Sequence, residues 1–400
     1  MKVAFITMDN REHLKDYACP KPYFGTAPEA LLQGFAADPG TEVHVISCLR
    51  REVESPEKLA ENIWFHPLTV PKSGWMSTLY QGCIRKIRTK LRDIRPDIVH
   101  GQGTERYCAF SAVASGYPNV ITIHGNMRLI AKLTRPKSFS FNWLNPYLEA
   151  FTIPRAGGVV CISNYTRGAV QNAARRTWVV PNAVDSAFLA LGEKRLGRGD
   201  LGKVNNEGAV DGGGSPALNK LPVILVVANV DERKNQNAFI RALDPLAERQ
   251  SFQVRFFGSC GDSEYVREFR QLVAERSWCH YGGMIGRQEL GREFETADML
   301  ALPTNEDNCP MVVLEAMASG LPVMASKVGG VPDLIDGDTT GLFCNPKDPA
   351  SFREGVGRLL GDPLLADRLA RAARQSAVEK YHPKVIAARH LEIYREVLGW

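Results

Sequence analysis

Short apolar runs recur along the chain, separated by intervals of helical length. In the first half they are VAFIT (3–7), VHVIS (43–47), DIVH (97–100), VITIH (120–124) and GVVCIS (158–163). In the second half they are VILVVANV (223–230), VRFFG (254–258), MLALPT (299–304), PVMAS (322–326) and GLFC (341–344). Their continuous Val, Ile and Phe content, without regular polar alternation, predicts strands buried on both faces. The intervals carry amphipathic patterns such as Ala30, Leu31, Leu32, Phe35 and later Phe239, Ile240, Leu243, Leu246. Strand alternating with helix predicts an α/β fold with parallel, doubly wound sheets.

The two series are separated by a change of composition. Residues 190–220 are dense in Gly, Lys and Asn, and Asp211 to Ser215 reads as the most flexible point. This predicts an amino-terminal Rossmann-like domain over 1–185, a flexible surface joint over 186–220, and a second such domain over 221–382. A last helix over 383–400 carries Ile386, Leu391, Ile393, Tyr394 and Leu398, which need a surface to cover; the amino-terminal domain is the expected one. Two α/β halves place the default ligand site in a cleft between them.

Length and composition narrow the classes. With 400 residues the chain has room for two large domains. At 44% hydrophobic and 23% charged residues it is too apolar for disorder. A net charge of +5 is mild for this length and does not call for nucleic acid. The longest apolar run, Pro222 to Ala228, falls far short of the ~18 residues of a membrane span. The start, MKVAFITMDN, lacks the ~7-residue apolar core of a secretory signal. Nine cysteines without a C-x-x-C pair suggest neither zinc nor a disulfide scaffold, so a cytoplasmic protein is expected.

Candidate chemistry concentrates in LPTNEDNCPMVVLEAMASGLPVMAS (302–326). A strand ends near Pro303, and a helix is predicted to begin near Pro310, capped by Asn308 or Asp307. Backbone N–H groups at Met311, Val312 and Val313 would form an anion site at its start. Asp307 before the helix and Glu315 within it can both face a ligand with hydroxyls on either side of a phosphate. Alternatively, Asp307 is only a cap and Glu315 a satisfied buried carboxylate, although a carboxylate within VVLEAMA is costly without partners.

Two acidic residues separated by seven, then Ala-Met-Ala-x-Gly-x-Pro-Val, resemble the signature of the retaining glycosyltransferases of family four. The resemblance implies the GT-B fold, two Rossmann-like domains facing a cleft. It implies that Asp307 holds hydroxyls of a donor sugar and Glu315 the ribose hydroxyls of its nucleotide. Asp307 stands where Glu is usual, and the neighbouring Glu306 is an alternative for its role. VVANVDERKNQ (226–236) resembles the segment that binds the donor diphosphate: Lys234 fits, Asn229 replaces the usual Arg, and Arg233 is placed to restore part of the charge. FGTAPEALLQGFA (24–36) resembles a ligand-contacting loop, with Gly25 allowing close backbone approach. His124, ending a strand, matches a histidine that approaches the transferred sugar, and Arg128 is a further candidate for the donor phosphate. GGVPDLIDGDTTGLFCNPKDP (329–349), Tyr281 to Pro303, VVPNAVD (179–185) and CISNYTRG (161–168) also resemble family segments.

The resemblance implies a nucleotide-diphosphate sugar as co-substrate, a hydroxyl-bearing acceptor, no cofactor and no metal. Asp336 and Asp338 form an Asp-x-Asp whose Gly337 and Thr339 read as a turn. HGQGTER (100–106) is only a partial dinucleotide fingerprint. The basic stretch IRKIRTKLRDIRP (84–96), preceded by Trp75, Met76, Leu79 and Tyr80, reads either as a solvated outer helix or as a peripheral contact with an anionic membrane through 75–96. A sugar-nucleotide epimerase and a non-catalytic nucleotide-sugar or glycan binder are the competing functions.

Overall fold

The computed structural model describes residues 1–134, 137–138, 140–197 and 221–400. They form two compact units, Met1–Asp185 with Tyr381–Trp400, and Ser186–Lys380.

The first unit holds an eight-stranded sheet. Its strands are β1 (Lys2–Ile6), β2 (Glu42–Leu49), β3 (Lys58–Ala60), β4 (Ile63–Thr69), β5 (Ile98–Gln102), β6 (Asn119–Ile123), β7 (Val159–Cys161) and β8 (Thr177–Val179). Their spatial order is β3-β4-β2-β1-β5-β6-β7-β8. Every pair is parallel except β3 with β4. The order reverses between β1 and β5, so the chain ends leaving those strands open a crevice. Apolar side chains alternate between two cores. Ala4, Ile6 and Val99 enter one; Val3, Phe5 and Ile98 enter the other. Both faces are therefore covered, as the unbroken apolar runs require.

The helix Pro383–Leu398 covers one face of this sheet. Its Ile386, Leu391, Ile393 and Tyr394 join the core that includes Phe5 and Phe35, and Tyr394 stacks on Phe35 at 6.3 Å. The backbone of Val184 donates to the Tyr381 carbonyl (2.9 Å), so this unit already begins again at 381, two residues before the expected start of the last helix.

The second unit carries β9 (Val223–Val227), β10 (Gln253–Phe257), β11 (Cys279–Tyr281), β12 (Met299–Leu302), β13 (Val323–Ser326) and β14 (Leu342–Cys344). All pairs are parallel, in the order β11-β10-β9-β12-β13-β14. Here the order reverses between β9 and β12.

The expected joint over 186–220 is corrected in its first part. Ser186–Gly197 is a helix of the second unit. Phe188 meets Phe294 at 5.1 Å, and Arg374 donates to the Leu189 carbonyl at 3.0 Å. The apolar pair Phe188 and Leu189 has a core to enter, and that outweighs the Gly- and Lys-rich composition downstream. Residues 198–220 lie outside the described residues.

The basic stretch is also settled in its apolar half. The helix Gln81–Ile94 buries Cys83, Ile84, Ile87, Leu91 and Ile94 in the first unit's core, together with Trp75 and Tyr80. Of the four apolar residues before it, Met76 and Leu79 remain exposed. The apolar face cannot lie in a membrane, because the sheet already occupies it. Among the described residues, no helix is long and apolar enough to cross a membrane.

Candidate functional site

In the second unit, the turn after β9 and the loop after β12 lie side by side, because these strands are neighbours at the reversal of strand order. The turn is tied down locally: the Lys234 backbone N–H donates to the Asp231 carboxylate at 3.0 Å. Asn235 then adopts a left-handed conformation, φ 60°, before the helix Gln236–Ala247. The loop is fastened to the turn through its backbone. Asn305 N–H and the Thr304 hydroxyl both donate to the Arg233 carbonyl, at 2.7 and 2.9 Å.

This arrangement brings the side chains of Lys234 and Asp307 into an ion pair, each only about a tenth exposed. Glu306 turns to a different cation, with its carboxylate 3.2 Å from the Arg233 guanidinium. The two adjacent acids therefore have separate partners. Arg233 is spoken for by Glu306, while Lys234 and Asp307 share the more enclosed position.

The helix Met311–Ala318 begins at Pro310 without a side-chain cap, correcting the assignment of Asn308 or Asp307 to that task. Asp307 instead accepts from the Asn308 N–H at 2.9 Å, and its carbonyl accepts from the Gly330 N–H at 2.9 Å. A second correction concerns the anion site. The Val313 N–H closes on the Pro310 carbonyl at 3.1 Å and its side chain is fully buried. Met311 and Val312 therefore supply the N–H groups of the helix start that can meet a ligand. The backbone approach here is close. A Cβ on Gly329, whose φ is +56°, would lie 1.9 Å from the Asp307 carbonyl oxygen.

Glu315 is buried within the same helix, and burial pushes its pKa up to about 7, opposed only in part by Arg287. Asn229 is exposed, with its side-chain oxygen accepting from the Ser259 hydroxyl (2.7 Å) and its carbonyl from the Gln236 amide (2.9 Å). Asp336 and Asp338 form the expected turn, in which the Asp336 carbonyl accepts from Thr340 N–H (2.8 Å) and Asp338 pairs with Arg358 (3.0 Å).

In the first unit, Gly25 precedes the helix Thr26–Ala36 with φ +91°, a conformation that favours glycine. His124 follows β6, half-buried, with Nε2 2.8 Å from the Gln102 side-chain oxygen. Burial, with help from His390, holds its pKa down to about 4. Arg128 is exposed on the helix Met127–Thr134. Three residues escaped the sequence reading. Asp231 ties the Lys234 turn. Glu149 is buried and accepts from Thr104 and the Met127 N–H, at 2.9 and 3.2 Å. Gln102 holds His124. The only visible signal for Gln102 was its place between the glycines of HGQGTER.

Comparisons with known proteins agree with this layout. Residues 214–376 match the family model described as glycosyl transferases group 1, and residues 29–188 match that of glycosyltransferase family 4. Over 180 residues the chain is 30% identical to a D-inositol 3-phosphate glycosyltransferase of Xylanimonas cellulosilytica, covering 44% of this chain and 42% of that protein. It is 28% identical, also over 180 residues, to an uncharacterized glycosyltransferase of Methanocaldococcus jannaschii, covering 44% and 46%. The matched stretch thus spans less than half the length of these relatives. Among solved structures, sucrose-phosphate synthase of Thermosynechococcus elongatus superposes with a TM-score of 0.75 at 18% identity, over 100% of this chain and 99% of that one. Anabaena HepE in complex with UDP-glucose superposes at 0.68 and 16% identity, over 99% and 100%. These likenesses show the GT-B fold. With one family model on each half and that fold throughout, the chain belongs to the glycosyltransferases of family four, group 1.

Proposed function

We propose that the protein transfers a sugar from a nucleotide-diphosphate sugar to a hydroxyl acceptor, with retention of anomeric configuration. One observation carries the reading: Lys234 and Asp307 meet at the carboxyl ends of β9 and β12, beside the start of the helix Met311–Ala318. A cation and helix N–H groups suit a diphosphate, and an adjacent carboxylate suits sugar hydroxyls. UDP-glucose in the structural neighbour HepE supports this class of donor.

In the proposed reaction the bond from the anomeric carbon to the diphosphate oxygen breaks. The acceptor oxygen bonds to that carbon on the same face, and its proton passes to the departing phosphate oxygen. Such a step depends on positioning and on stabilising the diphosphate charge. Lys234 and the N–H groups of Met311 and Val312 are assigned to that charge. Asp307 is assigned to donor hydroxyls, Glu315 to the ribose, and His124 to the transferred sugar. No metal is assigned a part.

A melting panel over UDP-, GDP- and ADP-glucose tests the donor site. At 100 times its dissociation constant a ligand adds about 2.7 kcal/mol, so the correct nucleotide raises the melting temperature. A panel in which none does so removes the donor assignment. Product formation from the selected donor, followed with EDTA present and with the anomeric configuration read by NMR, distinguishes transfer with retention from epimerisation and from binding alone.

A further inference from the structure

The first unit contains a file of buried polar side chains that apolar periodicity does not explain. His100 and Gln102 lie on β5, Thr122 on β6, and His390 and Tyr394 on the helix Pro383–Leu398. Groups buried in this way satisfy one another, and here the donor and acceptor chemistry orders the chain of bonds.

The His124 Nε2 lies 2.8 Å from the Gln102 amide oxygen. An amide oxygen only accepts, so Nε2 of His124 carries the proton. The amide nitrogen of Gln102 lies 2.9 Å from Nε2 and 3.3 Å from Nδ1 of His100, over the face of the ring, where an N–H can settle and an amide oxygen would be repelled. Nε2 of His100 is itself paired with the Thr122 hydroxyl at 2.7 Å. Nδ1 of His100 pairs with the Tyr394 hydroxyl at 2.5 Å, so the ring that carries the Gln102 amide is fixed at both nitrogens. The His100 ring is clasped by Phe5 at 5.6 Å and by His390, stacked at 5.5 Å. One end of the file is thus rooted in the core, and the other ends on His124.

We propose that Gln102 is a positioning residue: its amide, oriented by His100 and Tyr394, holds His124 as the neutral Nε2–H tautomer in a single ring orientation for the transfer reaction. The proposal rests on the reading of His124 as the residue that meets the sugar. An amide suits this task better than a carboxylate. A sugar losing its diphosphate develops positive charge at the anomeric carbon. A carboxylate at 102 would favour an imidazolium beside that charge, whereas an amide fixes the tautomer and adds no charge. Partners of this kind typically change activity by about 10–100-fold.

The test uses the full chain labelled with 15N-histidine, with the His124 signals identified by their loss in His124→Gln. At pH 7.5 the wild-type ring is expected to show a protonated Nε2 and an unprotonated Nδ1. In Gln102→Leu the two nitrogens should move toward averaged values. Turnover of the donor selected by the melting panel should fall at least tenfold, with its KM within twofold. Gln102→Glu keeps shape and acceptor, so it guards against misfolding; its ring should keep the Nε2 proton and gain the second, and turnover should stay low. A wild-type ring protonated on Nδ1, or a tautomer unchanged in Gln102→Leu, overturns the proposal. A shifted tautomer with unchanged turnover leaves the ring-holding intact and overturns instead the role given to His124.

Discussion

Lys234 and Asp307 are each only slightly exposed and depend on one another, because removing one partner of an enclosed ion pair leaves the other charge uncompensated. The donor reading gives Lys234 a further task at the diphosphate. Losing one charge-stabilising group in a water-poor site typically lowers kcat by about 10²–10³. Lys234→Ala is therefore expected to lower kcat by that order, and steady-state kinetics with the selected donor measure it. A loss of less than fivefold would place Lys234 outside the reaction.

Glu315 makes a second prediction at this scale. Its folded pKa is raised by burial from 4.5 to about 7. A raised carboxyl pKa contributes stability that is fully present below the unfolded value and is lost as pH rises through about 7. Ribose hydroxyls donating to Glu315 would favour the ionised form. Nucleotide binding at pH 7 should then release about half a proton. Calorimetry in two buffers of different ionisation enthalpy reads that number, and Glu315→Gln should bring it to zero. Equal binding enthalpies in the two buffers would argue against a ribose contact.

Among the elements, the helix Pro383–Leu398 is held where small residues let it approach. A Cβ on Gly34 would lie 2.1 Å from the Pro383 carbonyl oxygen and 2.7 Å from the Ala387 methyl. Backbone cannot yield as a flexible side chain does, so Gly34→Ala is expected to cost about 1–3 kcal/mol. That corresponds to a fall of about 2–10 °C in melting temperature, measured by calorimetry. An unchanged melting temperature would mean that the helix is not seated this closely. The same helix supplies Tyr394 to the file that ends on His124. Its seating therefore bears on function as well as on stability.

At the scale of the whole molecule, the described residues form two units with separate cores. On the donor reading the nucleotide binds the second unit. Hydrogen exchange with saturating nucleotide should therefore slow amides in 228–236 and 303–316. Amides of the first unit over 118–128 should change little with nucleotide alone. Exchange left unaltered in 303–316 would contradict the placement of the diphosphate. The excess charge is also local. Arg85, Lys86, Arg88, Arg92 and Arg95 are exposed on or just after the helix Gln81–Ile94, whose apolar side is filled by the core.

The central strands, the two α/β halves and the segment around Asp307 and Glu315 were legible because each is written locally. An unbroken apolar run demands burial on both faces, and a carboxylate inside one demands a reason. Strands toward the two ends of the first sheet were harder to read. β4 contains Pro67, and β8 is only Thr177–Val179, so neither carries a run long enough to stand out. The helix Ser186–Gly197 was missed because composition downstream suggested a joint, while contacts with Phe294 and Arg374, about a hundred or more residues away, decide its place. Pairings could not be read at all. That Lys234 meets Asp307 while Arg233 meets Glu306 depends on β9 and β12 being neighbours. That Gln102 holds His124, and is itself ordered by Tyr394 across 292 positions of chain, depends on the last helix returning to the first sheet. Local sequence determined the strands, the helices and the types of chemistry available. Only the tertiary structure decided which of those groups share a site, because a hydrogen bond depends on distance in space and not on separation along the chain.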